Sequence, residues 1–230
     1  LQPSFFSSKF GDFIKKQQGA TTMNYKIVSS GSKGNCVLVN DVLIDCGVSF
    51  KKIKDELQEA IYDVKYLLLT HIHSDHIKPE TLLSIIENFP HIQVIGNYEI
   101  YERFPVCKIA NAGFPIETDD YIFHPFEALH DVVCYGYTWT DAEGNEIIYC
   151  TDTGSMENAP NGPYDYFFLE SNHDEKKLEE ARKHGNKGGY DPFLSGKRHL
   201  STQECKAFFY MNRRSRESEL IELHKSSRFY

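Results

Sequence analysis

Six strand-like runs in this chain each break off at a residue type that binds metals or moves protons. Val42–Ile44 stops at Asp45, Val64–Thr70 at His71, and Phe123–Leu129 at His130-Asp131. Ile147–Cys150 leads through Thr151 to Asp152, Tyr164–Leu169 runs into Glu170, and Glu219–Leu223 ends at His224. Short apolar runs bounded by polar residues signal buried strands. The repeated device is therefore an apolar strand that delivers a polar side chain at its end.

Between these runs the periodicity changes. Phe50–Glu59 has helical spacing, with Phe50, Ile53 and Leu57 apolar, and Pro79–Asn88 begins a helix on Pro at its first position. Asp174–Lys183 reads as a polar helix, residues 184–192 as a loop, and Thr202–Asn212 as a helix capped by Ser201 or Thr202. Further strands are expected at Tyr25–Ser29, Cys36–Val39, Ile92–Ile95, Tyr121–Ala128 and Cys134–Thr140. Strands alternating with helices indicate an α/β sandwich. Residues 1–22 lack this patterning and read as an N-terminal extension or a cloning remnant, which leaves 23–230 as the folded domain.

The densest chemistry lies in His71-Ile72-His73-Ser74-Asp75-His76. In an extended segment His71 and His73 point to one side. They can hold one cation while Asp75 and His76 reach a second. Imidazole with carboxylate suits zinc, manganese or iron better than calcium. In that company His130 and Asp152 become candidate ligands, and Asp45 a carboxylate that orients a ligand imidazole.

The six cysteines have no C-x-x-C spacing, which excludes a zinc ribbon and points to buried thiols in a reducing, cytoplasmic setting. No run approaches the length of a membrane span, and no secretory signal is evident. The formal net charge of −8 argues against a chain that coats nucleic acid. That total is uneven: residues 23–175 hold 9 basic and 25 acidic side chains, residues 176–230 hold 13 and 7. The basic part includes Lys197, Arg198 and the Arg213-Arg214-Ser215-Arg216 run.

H-I-H-S-D-H, with the downstream His130 and the D-T-G of Asp152, resembles the metallo-β-lactamase-fold hydrolases. S-G-S-K-G-N, L-I-D-C-G, L-E-S-N-H-D and R-H-L-S make the chain similar to the YycJ-type, exonuclease-like branch. The ending L-H-K-S-S-R-F-Y resembles that of ribonuclease Z. The resemblance implies an α/β fold, a four-layer αββα sandwich, with two divalent metal ions (zinc or manganese) per chain. It implies that His71, His73 and His130 hold one ion, that Asp75, His76 and a late histidine hold the other, and that Asp152 bridges them. His199 and His224 both qualify as the late histidine. The ribonuclease Z likeness assigns His224 as ligand and His199 as catalytic.

The implied activity is phosphodiester hydrolysis in nucleic acid, exonucleolytic, by hydroxide bridging the two ions, with a homo-oligomer possible and no membrane partner. Asp75 would orient the hydroxide, His199 would protonate the leaving oxygen, and Glu170 would hold the His199 ring. Asn172, His173, Arg198 and Ser201 are the expected substrate contacts. Cyclic nucleotides are the alternative substrates. Lactone or thioester hydrolysis is a further alternative, for which a general acid at His199 is superfluous.

Overall fold

The structure, a computed structural model, describes residues 23–183, 193, 196–226 and 230. Within them twelve strands form two six-stranded sheets. The first sheet runs in chain order through β1 (Tyr25–Ser29), β2 (Cys36–Val39), β3 (Val42–Ile44), β4 (Tyr66–Leu68), β5 (Gln93–Gly96) and β6 (Lys108–Ile109). The second comprises β7 (Ile116–Glu117), β8 (Ile122–Ala128), β9 (Cys134–Thr140), β10 (Glu146–Cys150), β11 (Tyr166–Glu170) and β12 (Glu219–Leu223), also in chain order. Helices α1 (Phe50–Leu57), α2 (Pro79–Asn88), α3 (Tyr98–Arg103), α4 (Glu175–Lys183) and α5 (Thr202–Asn212) complete the described elements.

Side-chain alternation along the strands builds the layers. In β4, Leu67 points to one face and packs with Ile53 and Leu57 of α1 and Leu82 and Ile85 of α2. Its neighbours Tyr66 and Leu68 point to the other face, against Phe123, Tyr137, Trp139 and Tyr149 of the second sheet. In β11, Phe168 joins that central layer, whereas Phe167 and Leu169 pack outward on Cys205, Phe208 and Phe209 of α5. Three apolar layers thus separate helix, sheet, sheet and helix, which is the αββα sandwich expected.

Strand direction decides where the site lies. β3, β4, β5 and β6 are parallel, as are β10, β11 and β12. β9 runs opposite to both β8 and β10, so β8 and β10 finish at the same edge. In open α/β sheets ligands gather outside the carboxyl ends of parallel strands. Asp45, His71, His130, Asp152, Glu170 and His224 all lie at or just past such ends.

Several boundaries differ from expectation. The helix read over Phe50–Glu59 ends at Leu57, where Gln58 takes a positive φ of 50° and a 3-10 turn, Gln58–Asp63, follows. The strand read over Val64–Thr70 pairs only at Tyr66–Leu68, because the chain leaves the sheet to form the loop that carries His71, His73, Asp75 and His76. β6, β7 and α3 were not anticipated: two-residue edge strands and a six-residue helix are too short to show a period. Ser201 caps α5 with a full capping box to Glu204, as its sequence position suggests. The 1–22 extension, the 184–192 loop and residues 227–229 of the C-terminal motif lie outside the described residues. Among the described residues no helix is long and apolar enough to cross a membrane.

Candidate metal centre

The backbone turns sharply where the strands end. Asp45, Asp152 and His224 have φ of 60°, 55° and 51°, in the left-handed region that costs L-residues roughly 1–2 kcal/mol. Three of the five non-glycine positive-φ residues among the described residues therefore cluster at one edge, a concentration found where function requires a fixed side-chain direction.

Two groups of donor atoms meet there. In the first, His73 Nδ1 lies 3.1 Å from His71 Nε2 and 3.3 Å from His130 Nε2. In the second, Asp75, His76 and His224 bring one ligand atom each within 4.8 Å of the others. Asp152 stands between the groups: its Oδ2 is 2.9 Å from His76 Nε2, its Oδ1 is 3.5 Å from His224 Nε2, and it also groups with His71. Every residue that sequence reasoning nominated as a ligand is in this constellation.

The two late histidines share a further group with Asp152 and Glu170, but they differ in their other partners. His224 groups with Asp75 and His76, and His199 does not. His199 lies behind it, its ring centroid 5.2 Å from that of His224 and its Nδ1 2.7 Å from Glu170 Oε1. Glu170 Oε1 also accepts from His224 Nδ1 at 2.9 Å, while Oε2 accepts from the backbone N–H of Thr153 and Leu200. A carboxylate buried this completely is tolerated only when paired and hydrogen-bonded. β11 and β12 place it: Glu170 pairs in register with Leu223, one residue before His224.

The electrostatics are those of a cation site. Burial would raise the Glu170 pKa, but its hydrogen bonds from His199 and His224 hold it below the ordinary value. Burial likewise opposes ionised Asp152, yet His76 and His224 keep it well below the usual carboxylate range. His71 and His130 are pushed down chiefly by burial, so they are neutral and offer lone pairs. His76, His199 and His224 move the other way: burial lowers each, and the carboxylates they face (Asp152 and Asp45 for His76, Glu170 for His199, Asp152 and Glu170 for His224) outweigh burial and raise them.

The donor set fits a divalent cation. Asp152 Oδ2 and His224 Nε2 are buried with no directed hydrogen-bond partner, at the centre of the cluster. Leaving such an atom unpaired costs about 1–3 kcal/mol, which coordination would remove. Imidazole nitrogens with carboxylate oxygens suit first-row metals such as zinc or manganese.

The expected substrate contacts divide. Asn172 is buried and donates through Nδ2 to the His224 carbonyl at 2.9 Å, so it supports the ligand from behind. Ser201 Oγ is occupied by the cap of α5 and by Glu175 at 2.8 Å. Arg198 is at the surface, its Nη1 3.5 Å from Asp131 Oδ2 beside His130. His173 is 5% exposed and lines a cavity of about 340 Å³ with Gly154, Lys197, His199 and Ser201 itself. Sequence reasoning missed Asn35, whose Nδ2 is 2.8 Å from His76 Nε2, and Thr70, discussed below. Their signal was their place inside the motifs: Asn35 is the last residue of S-G-S-K-G-N and Thr70 the middle one of L-T-H.

Comparison with known proteins agrees with this geometry. The profile of the Metallo-beta-lactamase superfamily matches residues 30–78, which include the first ligand loop. Together with the fold and the donor cluster, this defines the class: the chain is a metal-dependent hydrolase with the metallo-β-lactamase fold. Within that class it is 27% identical over 180 residues to exodeoxyribonuclease YycJ of Bacillus anthracis, covering 70% of this chain and 67% of that protein. It is 26% identical over 117 residues to ribonuclease Z of Lachnoclostridium phytofermentans, covering 43% of this chain and 38% of the relative. Among solved structures, human tRNase Z, short form, superposes with a TM-score of 0.62 at 15% identity, over 89% of this chain and 93% of that one. That likeness concerns the fold.

Proposed function

We propose that the chain hydrolyses phosphodiester bonds in nucleic acid with two divalent cations, zinc or manganese, as an exonuclease in the cytoplasm. The observation that carries this reading is His199. It sits beside the donor cluster with 19% of its side chain exposed, and Glu170 holds its Nδ1 at 2.7 Å. A general acid is needed for a poor alkoxide leaving group and superfluous for a thiolate, which weighs against a thioester hydrolase. The names of the relatives, an exodeoxyribonuclease and a ribonuclease Z, support the same substrate class.

In this reading His71, His73 and His130 hold one cation, and Asp75, His76 and His224 hold the other, with Asp152 between them. When bound, the pair lowers the pKa of a water towards about 7 and neutralises charge on the phosphate. Asp75 orients the attacking water. Glu170 accepts the His199 Nδ1 proton and so fixes the ring with Nε2 towards substrate, where it gives its proton to the leaving oxygen. Arg198, at the mouth, takes a phosphate oxygen. His173 lines the cavity that receives the leaving group.

That cavity, at about 340 Å³, is within the size range of small-ligand pockets and favours cyclic nucleotides as a second reading. One assay separates them. The metal-reconstituted protein is offered single- and double-stranded DNA, RNA, cyclic nucleotides, a lactone and a thioester over a range of salt. Polymer cleavage should weaken steeply with salt and mononucleotide turnover much less. Replacing His199 by Ala should lower kcat about 10²–10⁴-fold with metal content unchanged. Turnover of the lactone or thioester alone would overturn the proposal.

A further inference from the structure

Thr70, one residue before the ligand loop, touches both halves of the centre. It is fully buried. Its Oγ1 lies 2.9 Å from Asp45 Oδ2, 3.0 Å from His71 Nδ1 and 3.2 Å from His76 Nδ1. Asp45 Oδ2 is in turn 2.7 Å from His76 Nδ1, and Asp45 Oδ1 accepts the Thr70 backbone N–H at 2.9 Å.

Counting protons resolves these contacts. An ionised carboxylate only accepts, whereas a hydroxyl donates one proton and accepts on its lone pairs. The Thr70 hydroxyl therefore donates to Asp45. It is then an acceptor towards the histidines, and His71 Nδ1–H donates to it. His76 Nδ1–H takes the shorter contact, to Asp45 directly. At the far side of the His76 ring, Nε2 has the Asn35 amide nitrogen at 2.8 Å and Asp152 Oδ2 at 2.9 Å. With Nδ1 of each ring turned to Thr70 and Asp45, Nε2 is the nitrogen that faces the donor cluster in both, 3.1 Å from His73 Nδ1 for His71 and 2.9 Å from Asp152 Oδ2 for His76.

We propose that Thr70 is a positioning residue which extends the reach of Asp45 from His76 to His71, so that one buried carboxylate sets the tautomer of a ligand in each metal group. Asp45 is too short to meet both rings directly, and the hydroxyl supplies the missing step. Cys134 Sγ is also near His71 Nδ1, at 3.6 Å, but a thiol is a weak acceptor and it has the Thr151 carbonyl at 3.8 Å. The proposal rests on the metal-centre reading and needs no particular substrate.

The test is zinc binding in competition with a chromophoric chelator, which resolves the two binding steps. His73→Ala identifies the step belonging to the first group. Thr70→Val keeps the shape and removes the hydroxyl, and should weaken that step about 10–100-fold, as loss of such outer contacts does, while sparing the other step. Thr70→Ser should restore it to within about threefold, Asp45→Asn should weaken both steps, and Cys134→Ala neither. Melting curves show which variants fold. Thr70→Val with unaltered zinc binding, while His73→Ala loses a step, would overturn the role of Thr70 alone. A serine variant as weak as the valine would do the same, since packing of the methyl would then be the cause. Unchanged binding in His73→Ala would overturn the metal-centre reading itself.

Discussion

One added methyl group, in Gly47→Ala, should dislodge the second metal group without touching a ligand side chain. A Cβ on Gly47 would lie 1.7 Å from the carbonyl oxygen of Asp75, 2.3 Å from its carbonyl carbon and 2.8 Å from the backbone nitrogen of His76. All three are backbone atoms, so no side chain can swing aside. The segment is also locked: Asn35 N–H donates to the Asp75 carbonyl at 2.7 Å, Cys46 N–H to the His76 carbonyl at 2.8 Å, and Gly47 N–H to the Asn35 carbonyl at 2.9 Å. Relief requires the 75–76 backbone to retreat by roughly 1 Å, and a shift of that size costs about 10²-fold in rate. Overpacking of this kind destabilises by about 1–3 kcal/mol. For a chain of this length that is about 2–12 °C in Tm. The assay combines thermal melting, metal content after dialysis and kcat/KM. Gly154→Ala serves as control for melting and metal content, because its Cβ would meet neighbours only at 3.7 Å. A Gly47→Ala protein with normal Tm, metal content and turnover would refute the argument that this contact sets the loop.

Three further outcomes follow from the same geometry. Asp152→Ala removes the carboxylate shared by the two groups and should abolish activity with loss of bound metal; unchanged activity would sink the metal-centre reading. Glu170→Gln should lower kcat/KM about 10–100-fold. Because Glu170 raises the His199 pKa against the effect of burial, activity that needs protonated His199 is lost as pH rises through that pKa. The alkaline limb should move to lower pH in Glu170→Gln, and a limb left in place would show that another group donates the proton. Finally, all six cysteines are free and buried, and burial pushes Cys205 up to about 12. At pH 8 a maleimide should label the folded protein slowly and six thiols after unfolding, whereas rapid labelling of folded protein would contradict the buried assignment.

Local pattern carried much of this protein. Short continuous apolar runs are legible residue by residue, and so is the type of side chain that ends each one. Hence Asp45, His71, His130, Asp152, Glu170 and His224 could be nominated before any coordinates, and the strand-rich α/β sandwich with them. Elements of two to six residues, such as β6, β7 and α3, escaped because no period fits within them. The Glu175 carboxylate that engages Ser201 Oγ and the His224 carbonyl that engages Asn172 Nδ2 are equally invisible in the local pattern, although Ser201 does line the cavity beside His199.

The amino-acid sequence by itself determined which chemical groups stand at the strand ends, since that depends only on neighbours along the chain. Tertiary structure decided how they pair. The parallel register of β11 and β12 sets Glu170 beside His224 and leaves His199 outside the group formed by Asp75, His76 and His224. The close approach of Gly47 to Asp75, and the Asp45–Thr70–His71 chain, join segments about 25 residues apart. Those distances are set by sheet pairing and packing, which no stretch of sequence contains.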